Sequence, residues 1–297
     1  MPNLRDLRNR ISSVQNTQKI TKAQELVSAS KMRRAQQAME ASRPYSEGIA
    51  RMLSRLASRK LDATHPFLEE REVKARALIL VTADRGLAGG LNINAIRAAN
   101  RFLATDGKPA KLVTIGRKGR DYFKRVSGAT GTRLELVADR SLVGDRPPIA
   151  TIRPAVTVAM EDFLEGKVDE VWLVYTKYIN PVSLKPMTVR LIPPELPDEP
   201  EEAREKGPES LYEFDPSPEA VLGALLPRYV ESQVYHAVLE NQASEQAARM
   251  TAMRAASDNA NELIGDLTLV RNKLRQAKIT TELMEIVSGA ESLAQAG

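Results

Sequence analysis

The amino-acid sequence of 297 residues contains no cysteine. This absence excludes disulfide bonds, cysteine nucleophiles and thiolate metal sites, and it suits a reducing compartment. Histidine is almost as scarce, with His65 and His236 as the two copies. Because each stands alone in the sequence, we expect neither to bind a metal. No other motif indicates a metal or a cofactor, so we expect none.

Aromatic residues are also few, at 4% of the chain. Such a composition is common in long helices rich in Ala, Glu, Lys, Leu and Arg. The sequence has no window of about eighteen apolar residues, so we expect no helix that inserts into a membrane. The N-terminal stretch MPNLRDLRNR lacks the apolar region of a secretory signal.

Acidic residues are scarce in residues 1–60, which hold thirteen Lys and Arg against four Asp and Glu. A basic helix is usually a solvated surface, but it also suits an acidic partner. This segment has a single aromatic residue, Tyr45, and no recognisable nucleic-acid module, so we expect an acidic protein surface and not nucleic acid. Residues 194–217 are acidic and rich in proline, which is typical of a linker.

The first segment, residues 1–60, has the periodicity of a helix. Its apolar residues step by three and four, as in the seam of a coiled coil. A second, displaced stripe follows, which suggests a local change of supercoil twist. Pro44 is expected to interrupt or kink this helix. The two stripes consist of Leu4, Leu7, Ile11 and Val14, and then of Ile20, Ala23, Val27 and Ser30.

The second segment, residues 73–193, alternates apolar runs with helical patterns. Such alternation predicts a Rossmann-like α/β domain with an open, mostly parallel sheet. The last two apolar runs are separated by a loop too short for a parallel crossover, so the final strand is expected to be antiparallel. The apolar runs lie near residues 80, 115, 173 and 190, and the helical patterns at 91–104, 117–126 and 149–165.

The third segment, residues 218–297, carries the longest helical periodicity in the chain, and Pro227 leaves its start open. From Arg228 to Ser288 such a helix would extend roughly 90 Å, too far to be covered by an α/β domain of this size. It therefore needs another helix. We expect an antiparallel coiled coil with residues 1–60, the alternative being pairing with a second copy. The expected seam is Met253, Ala256, Ala260, Leu263, Leu267, Val270, Leu274, Ala277, Thr281 and Met284.

A glycine-rich loop, TADRGLAGGLN, follows the first predicted strand. It lacks the Lys-Ser/Thr pair of a P-loop and the spacing of a dinucleotide-binding fingerprint. We therefore expect Gly86, Gly89 and Gly90 to serve backbone geometry, with nucleotide binding as the alternative. Asp84 and Arg85 are the best candidates for chemistry in this loop, but a loop-stabilising or docking role is favoured.

Three stretches closely resemble the gamma subunit of F-type ATP synthases: SVQNTQKITKAQELVSASKMRRAQ at 13–36, DRGLAGGLN at 84–92, and the C-terminal helix ending in ITTELMEIVSGAES. The resemblance implies a central rotor shaft that is not itself catalytic. It also implies partners: three α and three β subunits per copy, an epsilon subunit and a ring of c subunits. By the same resemblance, the chain would lie at the cytoplasmic face of a bacterial plasma membrane. It would couple proton-driven rotation to conformational cycling of the β subunits.

The resemblance further implies residues that contact the β subunits. Among them, Arg249 and Gln276 are expected to hydrogen-bond a β loop and to be exposed in their own chain. Competing hypotheses are a nucleotide-binding α/β enzyme with helical arms and a coiled-coil adaptor without a rotary role. The full set of expected contact residues is Lys22, Gln24, Arg249, Gln276, Thr280, Glu282 and Glu285.

Overall fold

The computed structural model describes residues 3–58, 65–127, 134–141, 144–195 and 217–296. The chain divides into two compact units. The first unit combines the two ends of the chain, up to Val27 and from Met250 onward, and the second comprises Ser28–Arg249. No helix in these ranges has a stretch apolar enough to cross a lipid bilayer.

The helices and strands follow one another in the order that the sequence predicts, with one strand added. The helices are α1 (Leu4–Ser58), α2 (Leu91–Asp106), α3 (Arg117–Ser127), α4 (Ile149–Leu164) and α5 (Pro218–Ala296), with a short 3-10 helix at Pro66–Leu68. The strands are β1 (Arg76–Val81), β2 (Ala110–Ile115), β3 (Leu134–Arg140), β4 (Glu170–Tyr178) and β5 (Leu184–Ile192).

The second unit is built on a five-stranded sheet in the order β3-β2-β1-β4-β5. Strands β1 to β4 run parallel, and β5 pairs with β4 antiparallel. The predicted fold class and its antiparallel edge are therefore confirmed. One face of the sheet packs with α2 and α3, and the other packs with α4 and with the second unit's portions of α1 and α5. Strand β3 is the element that the sequence analysis missed.

The first unit is an antiparallel pair formed by the start of α1 and the later part of α5. The Gln18 amide donates to Asn261 Oδ1 at 2.9 Å. Farther along α1, Glu25 Oε1 accepts from Arg254 Nε at 3.0 Å. Residue numbers rise along α1 while their partners fall along α5, so the two helices run in opposite directions. Pairing within one chain is thus confirmed over the alternative of pairing between copies.

The seam of α1 differs from the predicted displaced stripe. After Leu7, Ile11 and Val14 the inward positions keep the same alternation of four and three residues, so the expected change of spacing is wrong. The stripe expected from Ile20 onward is instead exposed. The reason is that polar residues occupy the seam here, and α5 supplies hydrogen bonds to two of them. These inward-facing polar residues are Gln18, Thr21 and Glu25.

The seam of α5 also needs correction. Ile264 and Leu267 face α1, where they pack with Leu7 and Ile11, whereas Leu263 is 41% exposed. Beyond Leu274 the expected seam residues are exposed, because α1 begins at Leu4 and residues this far along α5 have no helix beside them within this unit. The predicted seam residues that are exposed are Leu263, Val270, Ala277, Thr281 and Met284, while Ala256 is half-buried.

Two prolines lie inside helices where the sequence suggested boundaries. Helix α1 continues through Pro44, and α5 begins at Pro218 and continues through Pro227. The expected interruption at Pro44 is therefore wrong, and of the two starts left open for α5 the structure has the earlier one, at Pro218. A proline removes one backbone donor and crowds the preceding turn. Buried residues lie on both sides of each proline, Met39 and Ser46 around Pro44 and Leu226 and Val230 around Pro227, and their packing stabilises the helix there.

Candidate functional site: the glycine loop and the exposed helix surfaces

The glycine loop at the end of β1 is fixed by hydrogen bonds to its own chain. Thr82 Oγ1 accepts from the Gly119 amide at 2.9 Å, and the Ala83 amide donates to Asn92 Oδ1 at 2.9 Å. Asp84 Oδ1 accepts from the Arg117 amide at 2.9 Å. Asp84 therefore bridges the loop to the start of α3, which agrees with a loop-stabilising role over a catalytic one.

The three glycine positions of the loop differ in how strongly the local backbone requires glycine. Gly89 has a φ of 52°, a left-handed conformation that costs a residue with a side chain about 1–2 kcal/mol. Gly90 caps the start of α2, and a Cβ there would lie 3.3 Å from the flexible amide of Asn94. At Gly86 the nearest atoms would be 3.9 Å away. Backbone geometry thus demands glycine most clearly at position 89.

A further glycine of this region escaped the sequence analysis. Gly116 follows β2 with a φ of 106°, and a Cβ there would lie 2.0 Å from the carbonyl oxygen of Thr82. The close approach lets the ends of β1 and β2 meet. Its position directly after an apolar strand, in KLVTIG, was the signal that could have identified it.

Helix α5 packs over the loop at the carboxyl edge of the sheet. In a doubly wound sheet this edge binds ligands where the strand order reverses, which here is between β1 and β4. Ala248 of α5 packs with Ala83, Ala88 and Leu91, and Ser244 Oγ donates to the carbonyl of Thr176 in β4 at 3.2 Å. The chain's own helix therefore covers this edge, which favours the structural interpretation of the loop over nucleotide binding.

Arg249 is held within the chain. Its side chain is 12% exposed and pairs with Glu245 Oε1 at 2.5 Å. The same guanidinium donates to the carbonyl of Gly86 at 3.3 Å and to Gln246 Oε1 at 3.2 Å. The expectation that Arg249 is exposed in its own chain is therefore wrong. A carboxylate four residues earlier on the same helix, as in Glu245 and Arg249, is a signal that the sequence did carry.

The surroundings of Glu245 raise the pKa of its carboxyl group. Burial raises its pKa, and the charges of Asp84 and Asp145 raise it further. The hydrogen bond from Arg249 acts in the opposite direction and favours the ionised form. Arg249 thus supports a buried carboxylate as well as the loop carbonyl, which makes it a structural link between α5 and the glycine loop.

In the first unit, a buried carboxylate lies between the two helices. Glu25 accepts from Lys22 Nζ and from Arg254 Nε, both at 3.0 Å. The hydrogen bond from Lys22 lowers the pKa of Glu25, and the one from Arg254 lowers it further. Lys22 itself is more than half exposed, so it remains on the surface while neutralising Glu25. Gln24 is half-buried.

The remaining predicted contact residues lie on the part of α5 beyond Leu274. Gln276, Thr280, Glu282 and Glu285 are all exposed. Thr280 Oγ1 donates to the carbonyl of Gln276 at 3.0 Å, and Glu282 pairs with Lys278 at 3.6 Å. Exposed apolar side chains share this stretch, namely Ile279, Leu283, Met284, Ile286 and Val287. An exposed helix with such a mixed surface is suited to a surrounding protein partner.

An antiparallel helix pair in one unit and a mostly parallel α/β sheet in the other define the class of the chain, and comparisons with known proteins agree. A family model described as ATP synthase matches residues 3–293. The ATP synthase gamma chains of Glaesserella parasuis and Heliobacterium modesticaldum are 46% and 45% identical to this chain, over 99% of its length and 100% of theirs. The chain therefore belongs to the ATP synthase gamma chain family.

Solved structures share the fold. A chain from the central stalk and c-ring of the Tetrahymena thermophila mitochondrial ATP synthase is 25% identical, with a TM-score of 0.59 over 80% of this chain and 99% of that one. A chain from the Euglena gracilis mitochondrial ATP synthase is 19% identical, with a TM-score of 0.66 over 98% of this chain and 94% of that one.

Proposed function

We propose that this chain is the central stalk of an F-type ATP synthase, in which it transmits rotation between a membrane ring and the catalytic subunits. Its partners would be three α and three β subunits per copy, an epsilon subunit and the ring of c subunits. Proton flow would turn the ring and the stalk together, and the stalk would drive each β subunit in turn through its conformations. Catalysis would belong to the β subunits.

The observation that carries this proposal is the antiparallel helix pair with unequal ends. Helix α1 begins at Leu4, whereas α5 continues to Ala296 after its last inward residue near Leu274. The excess of more than 20 residues corresponds to about 33 Å of helix. Such an asymmetric element presents different surfaces in different directions, and a stalk needs this property to act on one β subunit at a time.

The side chains that we propose as contacts with the β subunits divide into two groups. Lys22 and Gln24 lie on the N-terminal helix, where the basic surface suits acidic loops of a partner. The exposed end of α5 offers amide, hydroxyl and carboxylate groups for hydrogen bonds. That second group consists of Gln276, Thr280, Glu282 and Glu285. We include Arg249 among these contacts through the 12% of its side chain that stays exposed.

The domain division that we propose follows the same roles. Residues 1–60 and 218–297 would form the shaft, residues 73–193 the α/β head beside epsilon and the c-ring, and 194–217 a linker. The assembly would place the chain peripherally at the cytoplasmic face of a bacterial plasma membrane, without insertion of the chain itself.

Direct observation of rotation tests the proposal. Because the chain has no cysteine, a single cysteine at the exposed position Arg97 would carry one optical probe, with the β subunits fixed to a surface. We expect the probe to turn in one direction when ATP is added and to stop when ATP is removed. A chain that assembles with α and β but stays fixed during ATP hydrolysis would contradict the proposed role.

A further inference from the structure

A buried set of polar side chains in the second unit is not used by the proposed stalk role. It consists of Ser42 on α1 and of His236 and Glu240 on α5. Ser42 Oγ lies 2.9 Å from His236 Nδ1, and His236 Nε2 lies 3.5 Å from Glu240 Oε1. The side chains of His236 and Glu240 are 18% and 7% exposed. The imidazole ring of α5 therefore reaches α1 through Nδ1 and faces a carboxylate through Nε2.

The hydrogen bonds of Ser42 determine which ring nitrogen carries a proton. The single hydroxyl proton of Ser42 is donated to the carbonyl of Met39 at 2.7 Å. Ser42 Oγ therefore accepts from the ring, and His236 Nδ1 is the donor. In a neutral imidazole that is protonated at Nδ1, the other nitrogen has only a lone pair. That lone pair would face the carboxylate of Glu240, and two acceptors in contact repel each other.

The carboxylate of Glu240 needs a positive group or a proton beside it. A carboxylate buried without compensation is costly, and one that cannot be paired takes up a proton instead. Among the residues that the structure describes, His236 is the one cationic partner within ion-pair distance of Glu240, and Oε2 of the same carboxylate has no hydrogen-bond partner. One additional proton resolves both conflicts, whether it lies on Nε2 of the ring or on the carboxylate.

Other titratable groups near the pair do not supply this proton. Tyr175 of β4 faces Glu240, and burial raises the pKa of its hydroxyl, with the charge of Glu240 raising it further. Tyr175 is therefore an uncharged phenol at neutral pH. The charged residues nearest to Ser42 along α1 are Glu40 and Arg43, and both are exposed. The charged side chains that share a cavity with Ser42 pair with one another, namely Arg153, Arg228 and Glu231.

We propose that His236 and Glu240 retain one shared proton in the folded chain at neutral and mildly alkaline pH, and that this proton makes the packing of α1 on α5 dependent on pH. In the unfolded chain a glutamate is ionised and a histidine loses its proton above about pH 6.5. The folded chain then binds one proton more than the unfolded chain. Stability falls with rising pH under that condition, by up to about tenfold in the unfolding constant per pH unit. Below that pH the unfolded chain binds the same proton, and the dependence disappears.

Urea unfolding of the purified full-length chain between about pH 6 and pH 9 tests the proposal. We expect the unfolding constant of the parent to rise above pH 7 relative to that of His236→Gln, which has no titratable ring at this position. Glu240→Gln should remove the same pH dependence, because an amide needs no proton. His65→Gln is the matched control, since His65 is the other histidine of the chain and burial lowers its pKa. This variant should keep the pH dependence of the parent above pH 7.

Nitrogen-15 NMR of the parent, labelled at histidine, gives a result that does not depend on the folding of either pair variant. The ring shifts report which nitrogens carry protons, and the spectrum of His65→Gln assigns the two histidines. We expect Nδ1 of His236 to stay protonated throughout the titration. A neutral ring protonated at Nε2 alone would overturn the proposal, and so would a pH dependence of stability that is equal in the parent and in both pair variants. Either result leaves the stalk role untouched, because rotation is measured separately.

Discussion

Leu267 provides the sharpest test of the helix pair in the first unit. Its side chain is 9% exposed and packs with Leu7 and Ile11, whereas Leu263, one turn earlier on the same helix, is 41% exposed. Truncation of a buried leucine to alanine costs about 2–5 kcal/mol, depending on how well the site can collapse. Since a two-helix seam can relax more than a closed core, we expect about 2–3 kcal/mol for Leu267→Ala.

Leu263→Ala is the matched control. The two substitutions change helix propensity equally, because the residue types and the helix are the same. A half-exposed side chain loses little packing, so we expect Leu263→Ala to change the free energy of unfolding by less than about 1 kcal/mol. The periodicity of the sequence alone predicts that both leucines lie in the seam and therefore that both substitutions cost a similar free energy of unfolding. The structure predicts a large cost for Leu267→Ala and a small one for Leu263→Ala.

The assay is urea unfolding followed by circular dichroism at 222 nm, combined with amide hydrogen exchange. Amide exchange distinguishes the helices of the first unit from the rest of the chain. Tryptophan fluorescence could not do so, because Trp172, the only tryptophan, lies in the second unit. We expect protection in the first unit to fall strongly in Leu267→Ala and to stay near that of the parent in Leu263→Ala. Equal losses for the two variants would refute the assigned seam.

Further predictions concern single residues of both units. Arg249→Leu should lower the melting temperature, because losing one partner of a buried ion pair costs about 3–5 kcal/mol. Gln276→Leu should leave the melting temperature unchanged but slow ATP turnover of the assembled complex. Glu25→Gln should destabilise the chain at neutral pH, and urea titrations should show this difference shrinking as the pH falls below about 4.3. Gly89→Ala should cost about 1–2 kcal/mol because of its positive φ, and Gly86→Ala in the same melting assay should cost less.

The sign of the Glu25 prediction follows from its lowered pKa. A carboxylate whose pKa is lower in the folded chain than in the unfolded chain stabilises the fold at every pH above the unfolded value. That contribution disappears as acid protonates the group, through the interval from the unfolded pKa down to the folded one. A difference between Glu25→Gln and the parent that persists unchanged at low pH would show that the ion pair with Lys22 and Arg254 contributes little.

Most of the α/β fold could be predicted from the sequence because its signals are local. Buried parallel strands are continuous apolar runs, and the short loop before the last strand permits only antiparallel pairing. Strand β3 was missed because it is an edge strand with charged residues at Glu135, Asp139 and Arg140, so it lacks a continuous apolar run. Its pairing with β2 is a tertiary property.

The seams were harder to predict because apolar periodicity identifies a stripe but not its partner. On α1 the apolar stripe from Ile20 lies on the exposed face, while Gln18 and Glu25 turn inward and bond to Asn261 and Arg254 of α5. A polar residue enters a seam only when its partner is opposite, which depends on the register of two segments more than 200 residues apart. Local sequence therefore favoured the wrong face.

The candidate contact residues illustrate the same limit. The exposure of Gln276 agrees with the expectation from the family resemblance, whereas Arg249 is engaged by Glu245 and by the glycine loop. The pairing of Arg249 with Glu245 could be predicted from the sequence, because the two residues are four apart on one helix. The contact of Arg249 with Gly86 could not be predicted, because it depends on how α5 crosses the end of β1. Similarity to the family identified Arg249 as a candidate contact residue, but its contacts with Glu245 and Gly86 became apparent only in the folded chain.

The stoichiometry of the assembled complex tests the central claim most directly. The chain would be co-purified with its α and β partners under native conditions, and the mass of the intact complex would be measured. The stalk role predicts one copy of this chain with three copies of each larger subunit. Two or more copies per complex, or a chain that purifies without α and β subunits, would contradict it.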